Sequence, residues 1–302
     1  MKKIRVAISG YGNIGKNAIE AVIREPDMEL AGVIRRTVSP EDLANNKDIT
    51  FIDEKTDIKV LGAVDVVILC NPSRQVEEYA TKYLSQGIHT VDSFDIHDKI
   101  TTLQKKLREV ARQNNAVAMV AAGWDPGSDS IIRALFMAMT PIGITYTNFG
   151  PGMSMGHTVA LGNIDGVVKA LSVTIPIGTG LHRRMLYIEL EKDADLEQVT
   201  QNIKTDAYFC NDELQIIPVK DIELLKDTGH GVNLTRKGRS ANSDNQILNF
   251  DMRINNPALT AQIMVSCARA CTRMASGAYT MIEIPLIDLL AGDRETIINN
   301  LV

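Results

Sequence analysis

Three glycines close to the N-terminus have the spacing of a turn that binds the phosphates of a dinucleotide. They stand at positions 10, 12 and 15 in the segment ISGYGNIG, which follows a short apolar run. In such a turn the first glycine permits the tight bend, the second lets the backbone approach a pyrophosphate, and the third lets the helix pack close to the strand. The helix N-terminus then offers free N–H groups to the phosphates. The alternative is a glycine-rich turn without a ligand. The predicted cofactor contacts are Gly10, Tyr11, Gly12, Asn13, Ile14 and Gly15.

Two arginines select between the dinucleotides that this turn could bind. A site for NAD usually has an acidic residue about 20 residues after the glycines, where it holds the ribose 2′-hydroxyl. Here Arg35 lies 20 residues after Gly15, Arg36 follows it, and no acidic residue comes before Glu41. Guanidinium groups bind a 2′-phosphate through charge-assisted hydrogen bonds. We therefore predict NADP rather than NAD, with Thr37 beside the two arginines. The alternative is that these arginines are solvated surface residues.

Three further loops follow strand-like segments and should face the same crevice, because ligands of open α/β sheets bind at the carboxyl ends of the strands. They are CNPSR at 70–74, DSFD at 92–95 and AAGWDPG at 121–127. The cofactor contacts predicted in these loops are Cys70, Asn71, Pro72, Ser73, Asp92, Ser93, Phe94, Ala122 and Gly123.

Two carboxylates and the single tryptophan lie in the last two of these loops. Asp95 and Asp125 could bind an ammonium group or orient a water molecule, although an isolated loop aspartate is often a helix cap or a turn residue. Asp92 is interpreted either as a support for the backbone or as a cofactor contact. Trp124 lies in a glycine-flanked loop at the end of a strand, which favours a mobile aromatic lid over a place in the core.

The second half of the chain supplies groups that could hold an anionic substrate. The glycines of FGPGMSMGH at 149–157 indicate either a backbone that closes on a ligand or an irregular loop. Arg183 and Arg184 in LHRRM, and His230 in TGHGVN, lie among strand-like segments, where an arginine could clamp a substrate carboxylate. Alternation along a strand would place one of the two adjacent arginines outwards, and the sequence leaves open which one.

Alternating strand and helix patterns must position these groups in the first 120 residues. The strands KIRVAIS, MELAGVIR, VDVVILC, IHTVD and VAMVAA alternate with helices such as NIGKNAIEAVIRE and SRQVEEYATKYLSQG, the latter ended by Gly87. The segment SPEDL opens another helix, with Ser39 as N-cap, Pro40 at the first helical position and Asp42 facing the cap. The pattern predicts the α/β class with a Rossmann-type parallel sheet.

The pattern changes beyond Trp124. One helix, SDSIIRALFMAM, is followed by the strand-like segments LSVTIPIG, MLYIELEK, ELQIIPVK, HGVNLTRKG and QILNFDMRIN, which predict an antiparallel or mixed sheet. After NNP at 255–257 the pattern is helical again. We predict a dinucleotide-binding domain over 1–121, completed by C-terminal helices in 256–302, and a second, α+β domain for substrate binding and dimerisation over 122–255.

The composition excludes several classes of protein. The chain has 302 residues, 45% of them hydrophobic, and a net charge of −5, so it can bury a sizeable core and has no basic block for nucleic acid. Its apolar runs are too short to cross a membrane, and its N-terminus lacks the cleavage site of a signal peptide. The four cysteines and five histidines show no metal-binding spacing. We predict no metal site, cysteines that are small buried residues, and a reducing, cytoplasmic location.

The motifs together resemble the meso-diaminopimelate D-dehydrogenase family. The resemblance covers most of the chain and is carried by GYGNIGK, VIRR, VDSFD, AAGWDPGSDS, NFGPGMSMGH, VTIP, HRR, TGHGVN and NNP, of which GWDPG followed by GPGxSxGH is the most specific combination. It implies a homodimeric enzyme of lysine and cell-wall precursor metabolism. Such an enzyme oxidises the D-configured α-carbon of meso-2,6-diaminopimelate with NADP and yields L-2-amino-6-oxopimelate and ammonia; the reverse reaction is a reductive amination.

The resemblance also implies roles for individual residues. Asp95 and Asp125 would lie at the reacting amino group, and Trp124 would pack over the reacting end of the substrate. Residues of the second half would line the pocket or hold the distal carboxylate and amino group. The substrate contacts implied in this way are Trp124, Phe149, Met153, Ser154, Met155, Gly156, Thr174, Arg184, His230 and Asn256.

Two alternatives remain open from the residues alone. One is another NADP-dependent amino-acid dehydrogenase, or a reductase of the lysine or aspartate pathway such as dihydrodipicolinate reductase, although the chain has no HHRHK-like segment. The other is a non-catalytic NADP-binding sensor, which would need the glycine turn and the arginines but not Asp95, Asp125 or Trp124.

Overall fold

Strands and helices alternate through the first half of the chain and give way to longer paired strands in the second. The computed structural model describes residues 3–225 and 229–302, apart from the side chains of Asn45 and Met155. The elements of the first half are β1 (Ile4–Ser9), α1 (Asn13–Arg24), β2 (Met28–Arg35), α2 (Pro40–Asn45), β3 (Phe51–Asp53), β4 (Val66–Leu69), α3 (Ser73–Leu84), β5 (His89–Asp92), α4 (Ile100–Gln113), β6 (Val117–Met119) and α5 (Ser128–Met139). Those that follow are β7 (Ile142–Phe149), β8 (Gly152–Met153), α6 (Met155–Gly162), β9 (Val167–Gly178), β10 (Leu181–Leu190), α7 (Leu196–Thr205), β11 (Glu213–Pro218), β12 (Gly229–Ser240), β13 (Ser243–Asn255), α8 (Asn256–Cys271), β14 (Gly277–Tyr279) and α9 (Arg294–Leu301).

These elements form two compact units, residues 1–132 with 257–302, and residues 133–256. The first unit holds a parallel sheet in the order β14-β6-β5-β4-β1-β2-β3. The predicted Rossmann-type sheet is thus confirmed. The segment after residue 256 adds not only helices but also the edge strand β14, which the sequence analysis did not predict. The predicted domain boundaries and the dimerisation role of the second domain stay predictions.

Both faces of the parallel sheet are buried, because successive side chains of a strand point to opposite faces. Val6 and Ile8 of β1 pack into one apolar cluster with residues of α1 and α8. Ala7, between them, packs into a second cluster with residues of α3 and α4. Continuous apolar runs such as that of β4 therefore become central strands, and the polar loops that follow them are held at one edge of the sheet.

A buried arginine ties α8 to the turn between α1 and β2. Arg269 is 2% exposed, and its guanidinium binds both carboxylate oxygens of Asp27, at 2.6 and 2.7 Å, and Glu25 at 2.5 Å. Its remaining terminal nitrogen donates to the carbonyl oxygen of Leu289 at 2.8 Å. These hydrogen bonds hold the pKa of Asp27 below its usual value. The C-terminal segment is thereby fixed to the first unit by charge as well as by apolar packing.

Replacing Arg269 by methionine should lower the free energy of unfolding at pH 7 by about 3 kcal/mol, because two carboxylates lose their buried partner. The pKa of Asp27 is lowered in the folded protein, so its interaction with Arg269 stabilises the fold fully above the pKa of about 3.9 that an unfolded aspartate has. This stabilisation is lost as the pH falls through the lower pKa of the folded state. Urea unfolding at pH 7 and at steps down to pH 3 should therefore show the two proteins converging in acid. Arg24→Met, which removes an exposed arginine of α1, should change stability by less than about 0.5 kcal/mol. Equal losses in the two variants would contradict a special role for Arg269.

The second unit contains two separate sheets. One has the order β11-β10-β9-β8, with β10 and β11 parallel and the other pairs antiparallel, and the other has the order β13-β12-β7. The predicted mixed sheet is confirmed. Along β10 the buried side chains are Arg184, Leu186 and Ile188, every second residue. Leu186 and Ile188 enter a small apolar cluster with α7, so Arg184 stands at the end of that buried row.

The cysteines are only partly as predicted. Cys267 and Cys271 are buried in the first unit and carry no disulfide, and burial raises the pKa of both thiols. Cys210 is exposed instead, because it lies in the turn between α7 and β11. Within residues 3–225 and 229–302, no helix is long and apolar enough to cross a membrane, and no group of three potential ligands could hold a metal ion.

Candidate active site

The glycine turn between β1 and α1 has one open position. Gly10 has φ of +102°, and a Cβ there would lie 2.7 Å from the carbonyl oxygen of Cys70. A Cβ at Gly15 would lie 2.1 Å from the carbonyl oxygen of Gly10, so the protein itself excludes side chains at both positions. A Cβ at Gly12 would meet nothing within 4 Å. None of the described residues requires glycine at this point, whereas a ligand lying on the backbone would.

The start of α1 is prepared for an anion. Gly12 is its N-cap residue, no side chain of the described residues caps the helix, and its first turn has no acidic residue. The first N–H groups of a helix have no partner within the helix, and the helix dipole makes this end positive. The turn can therefore bind phosphate oxygens in the way that the sequence predicted.

A groove of about 660 Å³ runs past this turn and collects most of the predicted cofactor residues. Those in its lining are Gly10, Tyr11, Gly12, Ile14, Arg35, Arg36, Cys70, Asn71, Pro72, Ser73 and Ser93. Those outside its lining are Asn13, Gly15, Thr37, Asp92, Phe94, Ala122 and Gly123. Contact of any of them with a cofactor stays a prediction.

The two arginines at the end of β2 differ in what they bind. Arg35 donates to Asp42, which also closes the capping box of α2 with Ser39, and its guanidinium carbon lies 5.2 Å from the centre of the Tyr11 ring. Hydrogen bonds from Ser39 lower the pKa of Asp42, so this partner is ionised at neutral pH. Arg36 is exposed and has no hydrogen bond to any described residue. Arg36 therefore has all its donors available for a ligand, and Arg35 only some of them.

Asparagine and aspartate at the ends of β4 and β5 have different surroundings. The side-chain oxygen of Asn71 is buried in the groove wall and accepts no hydrogen bond from the described residues, which a bound ligand would correct. Asp92 is fully buried, and one of its oxygens accepts from the backbone N–H groups of Phe94 and Ala121, both at 3.0 Å. Burial raises the pKa of Asp92 to about 6. Asp92 thus supports the backbone, one of the two interpretations given above.

Asp95 lies in the groove and is fixed by the first residue of α3. The Ser73 hydroxyl donates to Asp95 Oδ1 at 2.5 Å and accepts from the backbone N–H of Asp95 at 3.3 Å. The side chain of Asp95 is exposed, so its carboxylate is accessible from the groove. A predicted catalytic residue is thereby brought beside the predicted cofactor loops of β4 and β5.

The loop after β6 is tightly closed around Trp124. Gly127 has φ of +144°, and a Cβ there would lie 1.9 Å from the carbonyl oxygen of Gly123. The Trp124 side chain is only 6% exposed, and Asp125 is half-buried. The indole is therefore packed in this structure, unlike the projecting aromatic lid that the sequence favoured, and its role toward a substrate stays a prediction.

In the second unit, strand pairing brings Thr174 and Arg184 together. They are direct cross-strand partners on β9 and β10, and Arg184 Nη1 donates to the Thr174 hydroxyl at 3.0 Å. Both side chains are nearly buried, at 3% and 7% exposure. Arg183 lies on the other side of the strand and pairs with Glu213 at 2.9 Å. The register thus answers which of the two arginines joins Thr174.

Three residues that the sequence analysis did not select surround Arg184. Arg184 Nε donates to Asp212, and its Nη2 lies 3.3 Å from His182 Nε2. His157 Nε2 lies 4.0 Å from the same Asp212 oxygen, and burial, followed by the nearby Arg184 charge, lowers the pKa of His157. A guanidinium held on one side by Asp212 retains donors that can bind a second carboxylate.

The remaining predicted substrate residues lie on β7, β8 and β12 and at the starts of α6 and α8. His230 Nδ1–H donates to the carbonyl oxygen of Met153 at 2.9 Å, and Ser154 Oγ lies 2.9 Å from His157 Nδ1. A Cβ at Gly156 would meet nothing within 4 Å outside its own helix. Phe149 ends β7 and Asn256 begins α8, both half-buried. Met155 begins α6, but its side chain lies outside the described residues, as does Thr228 of the TGHGVN motif.

Comparison with known proteins agrees with this geometry. The model of the oxidoreductase family with an NAD-binding Rossmann fold matches residues 4–121, and that of the diaminopimelic acid dehydrogenase C-terminal domain matches residues 123–183. The meso-diaminopimelate D-dehydrogenase of Bacteroides fragilis is 56% identical over 302 residues, which cover 100% of both chains. The chain belongs to the meso-diaminopimelate D-dehydrogenase family. The family resemblance inferred from the motifs is therefore confirmed.

Solved structures extend the likeness of this diaminopimelate dehydrogenase family member to the whole fold. C. glutamicum DAP dehydrogenase in complex with DAP superposes with a TM-score of 0.85 at 29% identity, over 100% of both chains. An engineered D-amino acid dehydrogenase bound to NADP+ superposes with a TM-score of 0.80 at 28% identity, also over 100% of both chains. The Rossmann domain is an NAD(P)-binding fold. Within the described part of the chain, the space at Gly12, the start of α1 without a capping side chain and the Asn71 oxygen without a hydrogen bond all fit such a cofactor.

Five residues of the groove lining were missed by sequence analysis, and two of them, Ser9 at the end of β1 and Ile34 near the end of β2, lie on strands that the sequence did predict. Glu54 follows the short edge strand β3, and Gln75 and Tyr79 lie on α3. For Gln75 and Tyr79 a signal was present, since they are four residues apart and therefore share one face of α3, which begins in the CNPSR loop. For Glu54 there was none, because β3 is only three residues long and was not predicted.

Proposed function

We propose that this protein is an NADP-dependent meso-diaminopimelate D-dehydrogenase. It would convert the D-centre of meso-2,6-diaminopimelate to L-2-amino-6-oxopimelate and ammonia, and catalyse the reverse reductive amination. The observation that carries the proposal is the full-length identity of 56% to a meso-diaminopimelate D-dehydrogenase. The buried Arg184–Thr174 pair and the groove of the first unit supply the chemistry that such a reaction needs.

The cofactor proposed is NADP rather than NAD. The diphosphate would lie over Gly12 at the start of α1, and the 2′-phosphate would bind Arg36 and the donors of Arg35 that Asp42 leaves available. Asn71 would receive a hydrogen bond at its buried oxygen. When bound, NADP+ accepts the hydride that leaves the D-configured α-carbon.

Proton transfer at the reacting end is assigned to the two loop carboxylates. Asp95 and Asp125 would bind the substrate ammonium group, accept the proton that it must lose before its carbon is oxidised, and orient the water that attacks the resulting imine. Overall, the ammonium form of the substrate, NADP+ and water give the oxo acid, ammonium, NADPH and one proton. The chain's contribution is therefore mainly orientation, with the Ser73 hydroxyl fixing Asp95.

The second unit is proposed to select the stereochemistry. The two ends of the substrate are chemically alike, so only a site that fixes one end can present the other in a single hand. Arg184 and Thr174 would hold the distal carboxylate, with His230 and Asn256 at the distal amino group. The other residues proposed to contact the substrate are Trp124, Phe149, Met153, Ser154, Met155 and Gly156. A cytoplasmic homodimer is proposed as the active form. Light scattering on the peak eluted from a size-exclusion column would measure its molar mass and test the dimer.

The proposed function is tested by the absorbance at 340 nm with NADP+ and a set of amino acids. We expect NADPH to form with meso-diaminopimelate and little or none with L,L-diaminopimelate, D-alanine or L-aspartate. Formation with L-aspartate in place of the meso compound would indicate another amino-acid dehydrogenase. Binding of NADP+ without turnover of any of these compounds would indicate a sensor and would contradict the proposal.

Replacing Asp95 by asparagine should lower kcat/KM for meso-diaminopimelate by about 10²-fold, the lower end of the contribution that is typical of a general acid or base. The affinity for NADP should stay within about twofold, because the side chain remains hydrogen-bonded to Ser73. Steady-state kinetics with a separate fluorescence titration of NADPH measure the two quantities. Unchanged kcat/KM would remove Asp95 from the mechanism.

Replacing both Arg35 and Arg36 by alanine should raise the KM for NADP by about 100-fold and that for NAD by much less, because two charge-assisted contacts to the 2′-phosphate are lost. Of the single variants, Arg36→Ala should have the larger effect on NADP, because Arg36 has no competing hydrogen bond to the described residues. Equal changes for NADP and NAD would show that the 2′-phosphate is bound elsewhere.

A further inference from the structure

An acidic side chain stands in the groove where the 2′-phosphate is proposed to bind. Glu54 follows β3, which pairs in parallel with the end of β2, so that Arg35 faces Asp53 across the two strands. The backbone N–H of Glu54 donates to the carbonyl oxygen of Arg35 at 2.7 Å. The main chain therefore fixes Glu54 beside the two arginines, and its side chain lines the same groove as theirs.

Glu54 is held in this position by its neighbours on α3. The Tyr79 hydroxyl donates to Glu54 Oε2, and Lys82 Nζ donates to the Glu54 carbonyl oxygen at 2.7 Å. The hydrogen bond to Glu54 raises the pKa of Tyr79 to about 12, so the phenol keeps its proton and donates it to the carboxylate. Glu54 Oε1 has no hydrogen bond to any described residue. The groove thus contains a carboxylate with one oxygen committed and one available as an acceptor.

This arrangement has opposite consequences for the two cofactors. A ribose 2′-hydroxyl is a donor that an ionised carboxylate accepts well, which is how acidic residues select NAD. A 2′-phosphate carries nearly two negative charges and is repelled by the same carboxylate. Arg36 and the partly neutralised Arg35 favour the phosphate, whereas Glu54 opposes it. The selectivity of the groove is then a balance between these charges.

We propose that Glu54, positioned by Tyr79, is a cofactor-specificity residue that limits the preference for NADP and allows this protein to bind NAD as well. The inference rests on the proposed placement of the 2′-phosphate at Arg35 and Arg36. It adds an acceptor for the ribose hydroxyl that directly follows the neighbouring strand β3 and does not stand at the usual position after the glycine turn.

The test compares Glu54→Gln with the wild type in equilibrium binding, using 2′,5′-ADP and 5′-AMP as probes that differ by the 2′-phosphate alone, together with NADP+ and NAD+. The amide of this variant keeps an oxygen that can accept from Tyr79, so the groove should keep its shape. The variant should bind 2′,5′-ADP about 3- to 10-fold more tightly and 5′-AMP about 3-fold more weakly, so that the ratio of the two affinities rises by about 10- to 30-fold. Tyr79→Phe should shift the same ratio by a smaller factor, because the carboxylate stays but is no longer fixed.

The matched control is Glu78→Gln, which removes the same charge from an exposed position of α3 outside the groove lining. It should leave the ratio within about twofold. A ratio unchanged in Glu54→Gln, or changed equally by the control, would overturn the inference, as would an equal loss of affinity for both probes. These outcomes are distinct from failure of the proposed function, in which the wild type would bind 2′,5′-ADP no better than the control ligand inorganic phosphate.

Discussion

Replacing Arg184 by methionine is expected to lower kcat/KM for meso-diaminopimelate by about 10²- to 10³-fold. Loss of one charged partner from a desolvated, hydrogen-bonded pair costs about 3–4 kcal/mol, which corresponds to that factor. The Arg184 guanidinium is nearly buried, is oriented by Thr174 and Asp212, and retains donors for the distal carboxylate. Methionine fills a similar length without a charge, so the change removes the contact more than the packing.

The diagnostic readout is a comparison of substrates. A D-amino acid without a distal carboxylate, such as D-alanine, has nothing to lose at Arg184, so the low rate expected with D-alanine should change by less than about threefold while kcat/KM for the meso compound falls. Arg183→Met is the matched control, since Arg183 pairs with Glu213 on the opposite side of β10. It should leave the preference for the meso compound intact. Equal effects at positions 183 and 184 would contradict the assignment.

A second variant separates binding from stability. Removal of Arg184 alone leaves Asp212 without its guanidinium, with His182 and His157 as the remaining nearby partners. The double variant Arg184→Met with Asp212→Asn removes both charges, and its thermal unfolding should be closer to that of the wild type. If the double variant recovered activity with meso-diaminopimelate, Arg184 would be acting through folding and not through the substrate.

Much of the first unit could be predicted because its signals are local. The apolar period of α1, the capping box at Ser39 and Asp42 and the glycine with φ of +76° after α3 at position 87 all act within a few residues. The buried strands β1 and β4 were evident as continuous apolar runs. The carboxyl ends of these strands then had to lie at one edge of the sheet, which is why most of the predicted cofactor residues share one groove.

The missed strands lack such local signals. β7 pairs with β12, far along the chain, and its side chains are exposed over its first residues and half-buried over the others, so no alternation marks it. β3 and β14 are three-residue edge strands. Elements of this kind are selected by the partner strand, and the sequence within the element says little about them.

The charged residues that sequence analysis missed differ in whether a local signal was present. His182 could have been found, because it lies two residues before Arg184 on one strand and therefore shares its face. Asp212 reaches Arg184 only through the parallel pairing of β10 and β11 across the intervening α7, and Glu54 reaches the arginines only through β3. The arginines that can bind anions were thus predictable from residue type. The acidic residues beside them, Asp212 and Glu54, are brought there by pairing between strands that are distant in the sequence.

Replacing Gly12 by valine should weaken the binding of NADP by at least about 100-fold, or about 2.7 kcal/mol, without unfolding the protein. Gly12 has φ of −82°, which any residue adopts, and a Cβ there would meet no atom of the described residues within 4 Å. The added methyl groups would instead stand over the start of α1, where the diphosphate needs to approach the backbone N–H groups. A fluorescence titration of NADPH measures the affinity, and thermal unfolding without cofactor measures the fold.

Two companion variants make this result specific. Valine is a poor N-cap residue, so Gly12→Ser is a second variant that keeps a good N-cap. Serine can cap α1, so the helix should be no less stable, but the added side chain should still weaken the binding of NADP. Gly15→Ala should instead lower the stability of the protein, because the Cβ of the alanine would lie 2.1 Å from the Gly10 carbonyl oxygen. If Gly12→Val bound NADP normally, the diphosphate would not cross this turn. If Gly12→Val lowered the stability as Gly15→Ala is expected to do, glycine at position 12 would be required by the fold and not by a ligand. Of the three glycines in the turn, Gly12 is then the one whose missing side chain serves cofactor binding, whereas Gly10 and Gly15 are required by the fold.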